Sequence, residues 1–222
     1  MKYLHALVLL PLLSCSVSQA ATPDASAAEG ITYTCIQQPC VLQGVIAGPI
    51  DDDIADEFAK MLDAARAAGA NAFVLGIMSP GGNFHASFRI FQAIQKSKMP
   101  VHCYVRKMAA SGAFWILQAC TERVAEPDVT LMIHAPLVVT PGSVVLKRQD
   151  LVMILERLRL LETIMVGTIA PKMKLTPAAL SDKLAQGDWF MNPVAAIAAH
   201  ALDSIWSGAF SEYVRDVQKR MN

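Results

Sequence analysis

Residues 71–78 read NAFVLGIM, an almost unbroken apolar run. It is too short to cross a bilayer and lacks the alternation of a half-exposed strand. Such a run suits a strand covered on both faces, and sheets of that kind are built from parallel strands joined by crossover helices. The flanks agree. Ahead of the run, Ile54, Phe58, Met61, Leu62 and Ala65 recur at helical spacing. They follow an Asp51–Asp53 cluster that caps a helix and favours its positive end. Gly69 stops that helix. Behind the run, Phe84, Phe88, Phe91 and Ile94 mark a second helix over 83–98, which Pro100 breaks.

The alternation continues. VHCYVR (101–106) reads as a strand, SGAFWILQAC (111–120) as an apolar helix, and RVAEP and TLMIHAP as short strands. ITYTCIQ and CVLQGVIAG, nearer the start, are strands bounded by Pro and Gly. A long helix spans 148–170, a short one follows Thr176–Pro177, and another opens at Asn192–Pro193. DSIW is a late strand before a terminal amphipathic helix over 209–221. Strand and helix in turn predict an α/β fold, a mostly parallel sheet with right-handed crossover helices.

The first 30 residues stand apart. MKYLHALVLLPLLSCSVSQA has an early Lys, an apolar stretch over residues 3–13 and then small residues, the layout of a secretory signal. Ser18-x-Ala20 allows cleavage before Ala21, whereas LLSC offers Cys15 as a lipidated first residue that would anchor the chain to a membrane. ATPDASAAEG reads as a flexible linker. The expected organisation is a signal over 1–20, a linker over 21–30 and one domain over 31–222, exported to the periplasm or cell envelope. In an oxidising compartment Cys35 and Cys40, around a short Gln-Gln-Pro turn, are a candidate disulfide, with two free thiols as the alternative. Cys103 and Cys120 read as buried free thiols.

The chain carries 19 basic and 19 acidic residues with no basic stripe, so no nucleic-acid partner is expected. No Cys/His group has zinc spacing, and no cofactor is expected. The mean hydropathy of +0.37 is high for a soluble chain. Beyond the leader, it points to apolar surface buried between subunits.

In open α/β sheets ligands gather at the carboxyl ends of the strands. SPGG (79–82) follows one strand, Ser111 follows the next after a turn, and His134 lies near the end of a third. All three can reach one edge. Ser111 stands among Ala109, Ala110, Gly112 and Ala113 at the start of a helix, where unpaired N–H groups can hold an oxyanion. A hydroxyl needs a base to take its proton, and imidazole suits that task at neutral pH. The base needs an orienting carboxylate. Asp188, in GDWFMNP, is chosen over Asp182, which falls mid-helix, and Asp203, which marks a turn. Each residue alone also fits a plain structural role; order, spacing and surroundings together make the case.

Here a resemblance enters. VLGIMSPGG, KMAASGAFWI, LMIHAP and DWFMNPVAAIAAHALDSI resemble, in order, the Gly-Gly loop, nucleophile, His and Asp segments of the Clp protease proteolytic subunit (ClpP) family, across residues 41–206. The resemblance implies the ClpP/crotonase fold and a Ser-His-Asp serine peptidase acting on peptides or unfolded proteins. Ser111 resembles the nucleophile, His134 the base and Asp188 its orienter, with Gly82 and Gly112 supplying oxyanion-hole N–H groups. The helix over 148–170 resembles the handle through which ClpP rings stack, which implies a homo-oligomer.

The departures also carry expectations. Ser-Gly stands where the family usually has Ser-Met-Gly, closer to signal peptide peptidase A, which uses a Ser-Lys pair. Lys147, Lys172 and Lys174 are the candidate lysines for that alternative. Phe84 and His85 put bulk at the groove. An exported chain without a P-loop has no ATP to draw on, so it is expected to work without an ATP-driven unfoldase. The other readings are a catalytically silent interaction protein on the same scaffold and, by fold analogy alone, an acyl-CoA enzyme of the crotonase type.

Overall fold

The parallel sheet expected from the apolar runs is present in the computed structural model, which describes residues 39–139, 142 and 145–221. The signal, the linker, the strand expected over ITYTCIQ, Cys15 and Cys35 lie outside the described residues. Five strands lie side by side and parallel: β1 (Val41–Ala47), β2 (Ala72–Ser79), β3 (Val101–Ala110), β4 (Glu122–Ala125) and β7 (Ser204–Ile205). A branch leaves β3, with β5 (Thr130–Ile133) parallel to it and β6 (Trp189–Met191) antiparallel to β5. The helices are α1 (Asp52–Ala67), α2 (Phe84–Lys96), α3 (Gly112–Leu117), α4 (Arg148–Ile169), α5 (Pro177–Leu184), α6 (Pro193–Ala198) and α7 (Phe210–Arg220).

Both faces of β2 are covered, as its sequence requires. Phe73, Leu75 and Ile77 meet Phe58 and Ile54 of α1 and Ile90 of α2 in one core. Val74 faces the other side, beneath Tyr213, Val214 and Val217 of α7. Each such side chain contributes about 1.5–3 kcal/mol by leaving water. The caps follow the sequence too: the Asp51 carboxylate accepts from the Ile54 N–H at 3.0 Å, and the Asn83 side chain caps α2 through the Ala86 N–H at 3.1 Å.

Three elements differ from expectation. β3 runs on through Ala110, where a turn was expected after Arg106. The β2–β3 register shifts between Ile77 and Ser79, and Lys107 in the shifted stretch has φ +58°. That irregularity lets one strand serve two partners, β4 through His102–Val105 and β5 through Met108–Ala110. β6 was not foreseen, because three residues are too few to reveal a period. Cys103 and Cys120 are buried as expected but not free: they form a disulfide with Cα atoms 5.9 Å apart, tying β3 to the end of the α3 segment. Cys40 is also disulfide-bonded. Among the described residues no helix is long and apolar enough to cross a membrane.

At the edge opposite the strand ends that carry Ser111, α7 is held by one carboxylate. Glu122 of β4 accepts from the Tyr213 hydroxyl at 2.8 Å and from both Arg220 Nη atoms at 3.0 and 2.9 Å, and meets His102 Nδ1 at 2.9 Å. The His102 hydrogen bond, and then those from Arg220 and Tyr213, hold the Glu122 carboxyl at about 2, against an ordinary value of 4.5. Folding lowers this pKa, so the stabilisation is complete above the unfolded value and is lost as pH falls from about 4.5 toward 2. Glu122→Gln is therefore expected to cost about 1–3 kcal/mol at neutral pH. It should also flatten the acid limb of a denaturation-versus-pH profile. An unchanged midpoint and an unchanged acid limb would remove this role from Glu122.

Candidate active site

Three strand ends converge on a cavity of about 530 Å³. Gly82 reaches it from the loop after β2, Phe84 from the start of α2, Ser111 and Gly112 from the turn after β3, and His134 from just past β5. Trp115 of α3 and Leu161 and Met165 of α4 form apolar walls. The β3–β5 ladder places the pair: Ala110 lies opposite Met132, and the Ser111 N–H donates to the Met132 carbonyl at 2.8 Å. The next residues along the two strands bring Ser111 and His134 to the same edge.

Ser111 takes φ +53° and ψ −120°, a backbone conformation that L-residues rarely adopt. Such a conformation costs about 1–3 kcal/mol and persists only where the surroundings over-determine it. Gly81 packs directly on the turn. A Cβ on Gly81 would lie 2.6 Å from the Ala110 carbonyl and 2.7 Å from both the Gly112 nitrogen and Ser111 Cβ. Gly82 is pinned on its other side. Its chain neighbours bond Ile50, with the Ile50 N–H donating to Gly81 at 2.8 Å and the Asn83 N–H donating to Ile50 at 2.7 Å. A Cβ on Gly82 would stand 2.1 Å from the Ile50 oxygen. This bonding leaves the Gly82 and Gly112 N–H groups without a carbonyl partner among the described residues.

The glycine after Ser111 has its own cause. A Cβ on Gly112 would fall 2.1 Å from Ser87 Oγ, because the first turn of α2 backs onto it. Ser87 is fully buried and donates to the Asn83 carbonyl at 2.9 Å. Its role was not legible in the sequence, where it reads as one more residue of an amphipathic helix. Trp115 was likewise unassigned. Its Nε1 donates to Thr168 Oγ1 at 2.9 Å, binding α3 to α4, and Phe84, Phe88 and Phe91 pack their rings 4.8–5.7 Å from it.

His134 is half-buried, and its Nδ1 donates to the Ala135 carbonyl at 2.6 Å. In the neutral ring that bond leaves the lone pair on Nε2. Asp188 is exposed and does not line the cavity. The β5–β6 ladder pairs Ile133 with Trp189, so Asp188 and His134 occupy the next position of the same ladder. Among the described residues no hydrogen bond joins Ser111, His134 and Asp188. Asp203 is engaged elsewhere, in an ion pair with Arg123 at 2.6 Å, and Asp182 is exposed on α5. None of Lys147, Lys172 and Lys174 lines the cavity. No group of three metal-ligating side chains occurs among the described residues.

Gly112→Ala is expected to destabilise the fold by about 1–3 kcal/mol through overpacking against Ser87. Ser87→Gly in the same chain should recover part of that loss. A double-mutant cycle in chemical denaturation checks this, and strict additivity of the two changes would contradict the contact.

The Clp protease family matches residues 38–208. The ATP-dependent Clp protease proteolytic subunit 1 of Streptomyces coelicolor is 33% identical over 97 residues, 43% of this chain and 44% of that protein. The match thus spans under half the length of that relative. A ClpP1 mutant from Listeria monocytogenes superposes with a TM-score of 0.66 at 19% identity, over 75% of this chain and 91% of that one. With the family match running from the residues before β1 through β7, the chain belongs to the Clp protease family.

Proposed function

We propose that this chain is an exported serine endopeptidase that hydrolyses peptides or unfolded proteins without ATP. The observation that carries the reading is the strained Ser111 turn beside two uncommitted backbone N–H groups, with an imidazole at the same cavity. Ser111 Oγ attacks the peptide carbonyl while His134 Nε2 takes its proton. The Gly82 and Gly112 N–H groups hold the oxyanion of the tetrahedral intermediate. His134 then gives the proton to the departing amine, and water repeats the sequence on the acyl-enzyme to release the acid and restore Ser111. Asp188 is assigned to orient His134, a contact that requires closing one further position of the β5–β6 ladder.

Family membership supports the reaction class. The burial of the Cys103–Cys120 disulfide supports export, since a bond sealed in the core forms during folding and calls for an oxidising compartment. The apolar character of α4 supports self-assembly: Leu151, Val152, Met153, Leu155 and Leu160 are exposed on one helix. Anchoring through a lipidated Cys15 is a variant of the same reading.

A second reading, a catalytically silent interaction protein, is favoured by one observation: Asp188 makes no hydrogen bond to His134. Chemistry separates the two. The wild-type chain should be labelled by a fluorophosphonate and should cleave a fluorogenic peptide. Ser111→Ala should abolish both, and His134→Ala should slow both by about a hundred-fold or more. Equal labelling of wild type and Ser111→Ala would transfer the case to the silent reading.

Export has its own check. Full-length chain made in a Gram-negative host should fractionate with the cell envelope, with Cys103 and Cys120 unreactive to thiol reagents even after denaturation. Recovery in the cytosol with both thiols reactive would overturn it. Sedimentation of the chain lacking residues 1–20 should give an oligomer, and a monomer at every concentration would remove the assembly reading.

A further inference from the structure

The mouth of the cavity carries a feature that the hydrolytic machinery does not use. Phe84 of α2 and Leu161 of α4 line the cavity from two helices. The residue after Phe84 is His85, and one helical turn before Leu161 stands Arg157. The two meet just outside the lining residues, with Arg157 Nη2 3.5 Å from His85 Nε2.

Arg157 is an unusual cation. Its neighbours three and four residues away along α4 are Met153, Ile154, Leu160 and Leu161, all apolar, so no carboxylate on its own helix face can pair with it. Among the described residues it forms no ion pair, and His85 is its one polar side-chain contact. Arg89, a turn beyond His85 on α2, differs: it is neutralised by Asp52 and Asp56 of α1. The first turn of α2 also holds no acidic residue. Beside the cavity, one guanidinium and one imidazole therefore face each other from α4 and α2, with no carboxylate paired to either among the described residues.

We infer that Arg157 and His85 form a carboxylate-binding subsite at the rim of the Ser111 cavity, selecting peptides that place a carboxylate beside an apolar residue. The inference rests on the proposal that the cavity takes peptide. A planar guanidinium receives a carboxylate through two parallel N–H bonds, and His85 adds a third donor through Nε2–H in the other tautomer or when protonated. The apolar walls of Trp115, Leu161 and Met165 take the neighbouring side chain. The carboxylate belongs either to a Glu or Asp side chain or to the C-terminus of the peptide.

The test separates binding from turnover. Fluorescein-labelled Ala-Leu peptides carry a single Glu, or Gln in its place, at each position flanking Leu, and each is made with a free or an amidated C-terminus. Anisotropy on Ser111→Ala protein reads affinity without cleavage. A Glu peptide, or a free C-terminus, should bind about tenfold or more tightly than its neutral counterpart, the low end for a charge-assisted hydrogen bond. Which arm responds identifies the source of the carboxylate. Adding Arg157→Gln should erase the preference while leaving neutral peptides unaffected, Arg157→Lys should retain part of it, and added salt should shrink it.

Absence of any Glu–Gln or acid–amide difference would overturn the subsite. So would a preference that survives Arg157→Gln, or failure of every peptide to bind. Wild-type turnover of the same peptides reports separately on the hydrolytic proposal. Discriminating binding without cleavage would leave the subsite standing and remove the peptidase.

Discussion

Three backbones meet at the cavity with almost nothing between them. Ile50, the Gly81–Gly82 pair and the Ser111–Gly112 turn approach so closely that a methyl group on any of the three glycines would enter a neighbouring backbone segment or Ser87 at 2.1–2.7 Å. That proximity depends on the β1–β2 and β3–β5 registers, which deliver Ile50 and Met132 as partners for the loop and the turn. It also makes the strain at Ser111 sustainable. The Ser111 N–H is tied to Met132, and its carbonyl accepts from Trp115 at 3.1 Å, so both sides of the residue are held while its hydroxyl stays free. A donor aimed at a developing charge is useful in proportion to how little it must move, and here the donors are main-chain atoms wedged between a sheet and two helices.

The parts of this arrangement that depend on local pattern were legible in the sequence. NAFVLGIM announces a strand covered on both faces, and Gly-Gly after it announces a close backbone approach. Ser111 among alanines and glycines announces a tight turn into a helix. What escaped depends on registers and on pairs distant in the chain. Ser87 explains the glycine after Ser111, yet the two meet only once α2 lies against α3. VHCYVR ends on Arg106 and Lys107 follows it, so the stretch resembles the start of a loop, while the strand continues by absorbing an irregularity. The disulfide was misread for the same reason. Two cysteines in apolar segments look like small core residues until α3 folds back beside β3 and brings them together.

That disulfide bears on the site as well as on the compartment. The segment between Cys103 and Cys120 contains the bonded end of β3, Ser111, Gly112 and all of α3. The turn is the apex of a wedge whose two limbs are joined at the base, so the angle between strand and helix, and with it the direction of the Gly112 N–H, is covalently limited. Trp115 adds a second restraint from the side, through Thr168 of α4. The turn is thus secured without using the Ser111 hydroxyl or the His134 ring.

The proposed carboxylate stands apart from the imidazole, and the ladder explains why. β5 and β6 pair through three positions and then stop, one short of His134 and Asp188. The chain after His134 passes directly into Leu137 and Val139, which line the cavity while remaining largely exposed, and on toward the apolar first half of α4. A ring held by the Ala135 carbonyl already carries its proton on Nδ1, so in the proposed mechanism moving Asp188 into reach would exchange one acceptor on Nδ1 for a charged one without changing which nitrogen keeps the lone pair.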